Sequence, residues 1–152
     1  MLPNIEPPLS FDCAASYGKS SRVGGTMHPF RAAVEAHDLD AMLALLADDV
    51  IFKSPIVYKP YRGKDAVAPI LFAVSRVFED FRYIGEIGAP DAADHALVFE
   101  AQVGTRELHG CDFLHTNEHG KIDEFSVMVR PLSAALALAE AMKAQLEAAQ
   151  QA

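Results

Sequence analysis

The chain is poor in several features that mark particular classes of protein. Its two cysteines, Cys13 and Cys111, lie far apart and form no CxxC pair, which favours a reducing compartment and predicts a cytoplasmic protein. The 13 lysines and arginines are scattered through a chain of net charge −8, whereas a nucleic-acid-binding surface requires a basic stripe. A run of about 18 apolar residues is also missing. We therefore expect neither a nucleic-acid partner nor a membrane span.

The sequence also lacks the motifs of common cofactor and nucleophile chemistries. It contains no Gly-rich phosphate loop, no dinucleotide fingerprint and no HExxH zinc motif. His109, Cys111 and His115 share one face of a predicted strand, but extended backbone holds the first two about 7 Å apart and the third farther away. A dimer-forming strand explains these residues better than a metal site does, and we expect no metal and no cofactor.

What the chain does have is enough apolar material for a sizeable core, since 51% of its 152 residues are hydrophobic. Residues 1–26 carry prolines at positions 3, 7 and 8 and show no helical or strand period, which indicates a flexible leader. We expect deletion of this leader to leave the thermal midpoint almost unchanged. Residues 27–152 are predicted to form a single domain.

From residue 28 onward, the periodicity predicts the order helix, helix, strand, helix, four strands, helix. The first two helices break at His37, with Asp38 as the N-cap of the second. The strand in DVIFKSPIVY ends at Pro55, and the third helix starts near Asp65. Short breaks between the four later strands predict antiparallel neighbours. The order predicts an α+β domain in which a curved mixed or antiparallel sheet wraps on helices and leaves a pocket.

Asp112 is the exception in an otherwise apolar strand pattern. It falls on the same side of the predicted strand as Leu108, Gly110 and Leu114. A carboxyl in an apolar site has its charged form disfavoured and can stay protonated. Two interpretations remain open: a functional acid in a pocket, or a buried acid satisfied by a neighbouring donor.

Three strings in the same order resemble nuclear transport factor 2-like proteins, the superfamily of SnoaL-like polyketide cyclases and ketosteroid isomerases. They are HDLDAMLALLADDV in the helix pair, YRGKDAV at the start of the third helix and HGKIDEF before the last strand. The resemblance spans about residues 28–132. It implies a cone-shaped α+β barrel, a deep apolar pocket and a homodimer built through the outer sheet face.

The resemblance to ketosteroid isomerases also implies three functional positions. The base carboxylate before a proline corresponds to Ser54 in FKSPI, and the tyrosine of the first helix corresponds to Phe30. The protonated aspartate that lies eight residues before the glycine of the GK turn corresponds to Asp112, with Gly120 as that glycine. Ser54 and Phe30 depart from the isomerase pattern, and Asp112 is retained.

The sequence leaves two main functions open, besides a less favoured third, an interaction module that uses the sheet face. One is an isomerase- or cyclase-like enzyme that acts on a small apolar ligand through Asp112 as the catalytic residue. The other is a non-catalytic ligand-binding or accessory domain of the same fold. A carboxylate or histidine that converges on Asp112 would favour the first, and protein donors already paired with Asp112 would favour the second. The predicted ligand-binding residues are Phe30, Phe52, Ser54, Tyr58, Leu114, Phe125 and Val127.

Overall fold

Two short helices begin the part of the chain that the structure describes, which is residues 26–151 of a computed structural model. They are α1 (Pro29–Glu35) and α2 (Leu39–Leu45). The side chain of Asp38 accepts a hydrogen bond from the Ala41 N–H at 2.9 Å and so caps α2. The predicted helix break and cap are confirmed. The predicted leader lies outside the described residues except for residue 26.

Six strands form a single sheet in the order β2-β1-β6-β5-β4-β3. The pair β1 and β6 is parallel, and every other neighbouring pair is antiparallel. The α+β class and the antiparallel pairing of the later strands are therefore confirmed. The elements are β1 (Leu46–Lys53), β2 (Tyr61–Arg62), α3 (Lys64–Val77), β3 (Glu79–Ile87), β4 (Asp94–Val103), β5 (Arg106–Thr116), β6 (Ile122–Arg130) and α4 (Leu132–Gln150).

Helix α3 differs slightly from its prediction, because it begins at Lys64 and takes Pro69 into its interior. Proline has no N–H to offer the carbonyl of Asp65, one turn earlier. Both residues are exposed, so water can hydrate that carbonyl in place of the missing bond. The short strand β2 was not predicted; it pairs Tyr61 with Phe52 of β1.

The inner face of the sheet carries the core, and its alternation in β5 is the one predicted. Leu108, Gly110, Asp112 and Leu114 are all buried, while the residues between them are more accessible. On the neighbouring strand, Leu97 is completely buried. Burial of each such large apolar side chain stabilises the fold by roughly 1.5–3 kcal/mol.

Helix α4 closes the core from the C-terminal side. Ala134 and Leu138 are buried, while Leu132 and Leu136 on the same helix remain exposed. α4 packs against α3 and against strands β4, β5 and β6, so it holds the helical layer on the sheet. Between residues 26 and 151, no helix has the length and apolar character needed to cross a membrane.

Candidate functional site

A cavity of about 570 Å³ lies among the four helices and the inner face of the sheet. Its volume falls within the roughly 300–1,000 Å³ that is typical of small-molecule sites. Most of its lining is apolar, with four titratable side chains, those of His37, Asp80, Tyr83 and Asp112. The aromatic lining consists of Phe30, Phe52, Phe78, Phe81, Phe99 and Phe125.

Two groups of packed aromatic rings contribute to this lining. Phe125 makes edge-to-face contacts with Phe30 at 5.1 Å and with Phe52 at 5.2 Å between ring centroids. Phe99 packs on Phe81 at 5.0 Å and also lies directly over Gly110. A Cβ built at Gly110 would lie 2.2 Å from Cζ of Phe99, so only glycine allows this ring to approach β5. Rigid aromatic walls favour a flat apolar ligand.

Asp112 lies in this lining and is almost completely enclosed, with 6% of its surface exposed. The hydroxyl of Tyr83 donates a hydrogen bond to its Oδ2 at 2.7 Å. Burial raises the pKa of Asp112 to about 7, and the hydrogen bond from Tyr83 opposes that rise. Both protonation states of the carboxyl are therefore populated near neutral pH.

Tyr83 reaches Asp112 from two strands away. It lies on β3 and Asp112 lies on β5, with β4 between them, and two inter-strand spacings amount to about 10 Å. The long phenol side chain spans this gap. Burial is the main cause that raises the pKa of Tyr83, followed by the charge of Asp112, so the phenol stays protonated and acts as the donor.

Tyr83, which lines the cavity and hydrogen-bonds Asp112, is a residue that the sequence interpretation missed. The alternation of Phe81 and Tyr83 in DFRYIGEIG is the signal that could have placed both rings on the inner face. Arg31 of α1 lies over the outer side of the Tyr83 ring, with its guanidinium carbon 5.8 Å from the ring centroid. The ring is therefore fixed between a cation and the cavity.

The cavity brings together most of the predicted site residues. Phe30, Phe52, Ser54, Phe125, Val127 and Asp112 all line it. Ser54 Oγ accepts hydrogen bonds from the backbone N–H groups of Ile56 at 3.1 Å and Val57 at 3.4 Å. Ser54 thus lines the cavity while it holds the turn that follows β1.

Two predicted ligand-binding residues lie elsewhere. Tyr58 is fully exposed at 102% and does not line the cavity, because the turn at Ser54 and Pro55 directs the chain outward. Leu114 has the predicted inward phase and is only 2% exposed, but it packs in the core instead of lining the cavity.

The outer face of β5 presents His109, Cys111 and His115 as separate side chains. Nδ1 of His115 lies 2.6 Å from Oδ1 of Asp123 on β6, and this hydrogen bond is the main cause that raises the pKa of His115. Burial raises the pKa of the Cys111 thiol. Within residues 26–151, no three His, Cys, Asp or Glu side chains come together as metal ligands.

The arrangement around Asp112 permits two kinds of chemistry. A protonated Asp112 can accept from Tyr83 with one oxygen and donate to a ligand oxygen with the other. An ionised Asp112 can accept a proton from a ligand. In the described part of the chain, Tyr83 is the side chain that hydrogen-bonds Asp112, and no second carboxylate or histidine does so.

Comparisons with known proteins agree with this geometry. The family model for the SnoaL-like domain matches residues 28–125. A crystal structure of a steroid delta-isomerase from Pseudomonas aeruginosa is 37% identical, with a TM-score of 0.74 over 85% of this chain and 100% of that one. An uncharacterised bacterial protein with a cystatin-like fold, from Silicibacter pomeroyi, is 38% identical, with a TM-score of 0.73 over 80% of this chain and 87% of that one.

A more distant structure shares the fold alone. It is a nuclear transport factor 2-like protein of unknown function from Mesorhizobium loti, 15% identical, with a TM-score of 0.58 over 67% of this chain and 85% of that one. The family match over residues 28–125 and the 37% identical isomerase structure confirm the predicted resemblance. Among curated proteins, the search found no match.

Proposed function

The chain belongs to the SnoaL-like domain family, and we propose that it is an isomerase- or cyclase-like enzyme that acts on a small apolar ketone through Asp112. The observation that carries this proposal is a carboxyl with a pKa of about 7, enclosed in an aromatic cavity and hydrogen-bonded by Tyr83. The similarity to a protein named a steroid delta-isomerase supports a flat, fused-ring ketone as the class of ligand.

The proposed chemistry starts with protonated Asp112 donating a hydrogen bond to the ketone oxygen. The ketone carries an unconjugated carbon–carbon double bond. Asp112 gives its proton to the ketone oxygen while a water molecule removes a proton from the intervening carbon, which leaves a dienol, ionised Asp112 and a protonated water. Asp112 then takes back the oxygen-bound proton while the protonated water returns its proton to the far carbon of the dienol, so the double bond shifts into conjugation and no proton is lost overall. Charge that develops on the oxygen is stabilised by the hydrogen bond from Asp112 in a largely apolar lining.

Ser54 has no role as a base in this scheme. It stands where the isomerase resemblance implies a carboxylate, and its hydroxyl already accepts from the backbone of Ile56 and Val57. Phe30, at the position of the isomerase tyrosine, contributes a ring edge to the aromatic lining. The proposed acid chemistry therefore depends on Asp112, with Tyr83 as its positioning residue.

An isomerisation assay tests the proposal. The probe is an unconjugated fused-ring steroid ketone, whose conversion to the conjugated ketone is followed by ultraviolet absorbance. Asp112→Asn keeps the shape and a hydrogen-bond donor but carries no transferable proton, so we expect it to bind the ketone and to lose turnover by about 100-fold or more. The wild-type rate should also fall as the pH rises through about 7, because the acid must be protonated.

Asp123→Asn is the matched control, since Asp123 is an aspartate on the outer side of the sheet that does not line the cavity. Its turnover should equal that of the wild type. Unchanged turnover in Asp112→Asn would refute the proposal.

The second candidate is a non-catalytic binding domain, and one observation favours it. One oxygen of Asp112 is already occupied by Tyr83, as in a buried acid that is satisfied by the protein. In that case the wild type binds the ketone without turnover, and Asp112→Asn retains much of the affinity. Binding in the absence of any turnover would thus select this candidate.

We also propose that the chain forms a homodimer through the outer sheet face that carries His109, Cys111, Phe113 and His115. The support is apolar exposure on that face: Phe113 is 42% exposed and Met128, on the neighbouring strand, is 61% exposed. An antiparallel sheet face this apolar generally requires cover. No nucleic-acid or membrane partner is proposed.

A further inference from the structure

The rim of the cavity carries two residues with an uncommon backbone conformation. His37 has φ 55° and Asp80 has φ 49°, in the left-handed region that favours glycine. Both line the cavity, and both are exposed, so they lie on its solvent-facing side. Asp112 and Tyr83, by contrast, are buried in its interior.

His37 lies at a helix end where glycine is the usual residue. Its N–H donates to the carbonyl of Val34 at 3.0 Å, and the next N–H, of Asp38, donates to the carbonyl of Ala33 at 3.0 Å. This is the Schellman pattern, in which the residue after the helix cap is left-handed and most often glycine. Here the left-handed residue is His37, which carries an imidazole side chain.

Asp80 lies in a bulge of β3. Between the pairs Glu79–Gln102 and Arg82–Glu100, β3 advances by three residues while β4 advances by two. Such bulges often place glycine at the left-handed position, and they re-aim side chains next to functional sites. Here the left-handed residue is Asp80, which carries a carboxylate side chain.

The other left-handed positions in residues 26–151 show that the chain uses glycine elsewhere. Six described residues have positive φ, and four of them are glycines: Gly63, Gly88, Gly104 and Gly120. None of these four lines the cavity. Within the described residues, a non-glycine side chain in the left-handed conformation thus occurs only at the two positions that line the cavity, although histidine and aspartate accept that conformation less readily than glycine does.

The charges of the lining limit the class of ligand. Among the described residues, two carboxyl groups, Asp80 and Asp112, and one histidine line the cavity, and no lysine or arginine does so. An anionic group would meet carboxylate charge with no fixed cation among these lining residues to offset it. A hydroxyl group, in contrast, can donate to the Asp80 carboxylate or accept from an N–H of His37.

We propose that His37 and Asp80 form a rim site that selects apolar ligands carrying a hydroxyl group at the end remote from Asp112, and that disfavours ligands carrying an anion there. The inference rests on the proposed function, because it assumes that the ketone oxygen of the ligand lies at Asp112. The ligand would then be an elongated hydroxy-ketone, held at both ends by polar groups and along its length by aromatic rings.

The test uses three ring-matched steroid ketones that carry a hydroxyl group, a hydrogen atom or a carboxylate at the end opposite the ketone. Titration calorimetry gives the affinity of each. We expect the wild type to bind the hydroxyl probe about 2- to 10-fold more tightly than the unsubstituted one, as for one net hydrogen bond. The carboxylate probe should bind at least tenfold more weakly than the hydroxyl probe.

Glycine variants remove the rim side chains without backbone strain. In Asp80→Gly and in His37→Gly, the preference for the hydroxyl probe should fall to within about twofold, with a thermal midpoint equal to or above that of the wild type. Asp80→Asn also tolerates a left-handed backbone. It should keep the hydroxyl preference and relieve the penalty on the carboxylate probe. Asp91→Asn, an exposed acid that does not line the cavity, should match the wild type.

The same probes separate this inference from the proposed function. If Asp112→Leu weakens all three probes while the rim variants leave every ratio unchanged, the rim site is refuted and the function at Asp112 stands. If the rim variants shift the ratios while Asp112→Leu changes nothing, the rim site stands and the placement of the ketone at Asp112 is refuted. A wild type that binds none of the probes refutes both.

Discussion

Two hydrogen-bonded acid pairs involve the same strand, β5, on opposite faces of the sheet. On the inner face, Tyr83 donates to Asp112 at 2.7 Å. On the outer face, His115 and Asp123 lie 2.6 Å apart. The two bonds are nearly equal in length. On the inner face, burial raises the pKa of Asp112 to about 7. On the outer face, the hydrogen bond to Asp123 is the main cause that raises the pKa of His115.

The comparison teaches that the environment, and not the length of the bond, decides what an acid can do. Burial in an apolar lining raises the pKa of Asp112 by more than the hydrogen bond from Tyr83 lowers it. In the single chain, the outer pair is in contact with water, which screens it and supports both charges. Proton transfer near neutral pH is therefore available to the inner acid.

The largest expected effect is the pH dependence that Asp112 imposes on stability. Its folded pKa of about 7 lies above the ordinary value of 3.8, so the unfolded state releases this proton first as the pH rises. The wild type should lose stability between pH 4 and 7, by about 4 kcal/mol in total at 1.36 kcal/mol per pKa unit. Asp112→Asn should abolish this loss, as measured by urea unfolding across that range.

Tyr83→Phe sharpens the same measurement. The hydrogen bond from Tyr83 lowers the pKa of Asp112. Removal of the phenol hydroxyl should therefore raise that pKa and extend the loss of stability to higher pH. A carboxyl titration by NMR gives both values directly. A wild-type Asp112 that titrates near 3.8 would contradict the comparison between the two faces.

The next largest effect concerns the outer face and its proposed role in dimerisation. Met128→Glu places a charge on the exposed apolar surface, and we expect it to weaken the dimer at least tenfold, which corresponds to about 1.4 kcal/mol. Analytical ultracentrifugation at micromolar concentration measures this change. Leu136→Glu is the control, because Leu136 is equally exposed at 60% but lies on α4. A wild type that sediments as a monomer would refute the proposed interface.

A smaller effect is expected from the buried histidine pair at the start of α1. The rings of His28 and His95 lie 4.7 Å apart, and burial lowers the pKa of His28, followed by the charge of His95, while Glu86 opposes the change. A folded pKa below the ordinary 6.5 means that stability falls as the pH drops below about 6.5. This is opposite in sign to the effect of Asp112.

His28→Asn isolates this contribution. Asparagine can still accept the hydrogen bond that Phe30 N–H donates to Nδ1 of His28, but it does not titrate. In the Asp112→Asn background, the additional His28→Asn change should flatten the acid side of the stability curve. If the loss of stability at low pH persists unchanged in this variant, a group other than His28 causes it.

The smallest effect is expected from His115→Gln. This change removes the imidazolium charge of His115 from the outer pair, in which His115 is 44% and Asp123 is 35% exposed. Exposed ion pairs contribute little to stability, so in the Met128→Glu background, which weakens the proposed dimer, the thermal midpoint should stay within the error of the measurement. A clear drop would show that the outer pair is more important than its exposure indicates.

The sequence predicted the fold because the relevant signals are local. Alternation along β5 placed Asp112 with Leu108 and Leu114 on the inner face, and short turns joined the neighbouring strands. The helix break at His37 and the cap at Asp38 are likewise decided within a few residues. Each of these features can be read within a short window.

The partners of Asp112 could not be predicted in this way. The register of β3 against β4 shifts between Glu79 and Arg82 and again between Tyr83 and Gly85, and each shift changes the face on which later side chains lie. The contact between Tyr83 and Asp112 therefore depends on bulges that a single strand does not reveal. The outward course of the loop that carries Tyr58 depends in the same way on the turn at Ser54.

The parallel pairing of β1 with β6 has a consequence for the order of folding. Strands β3 to β6 are joined by short connections and pair antiparallel, which requires only small loop closures. Phe52 of β1, by contrast, pairs with Phe125 of β6 across most of the described chain. Because distant contacts form late, we expect the four-stranded meander to appear before β1 docks. The strand of Asp112 would then be in place while its carboxyl still faces water, and the later packing of the helical layer over this face would turn an ordinary acid into one that titrates near neutrality.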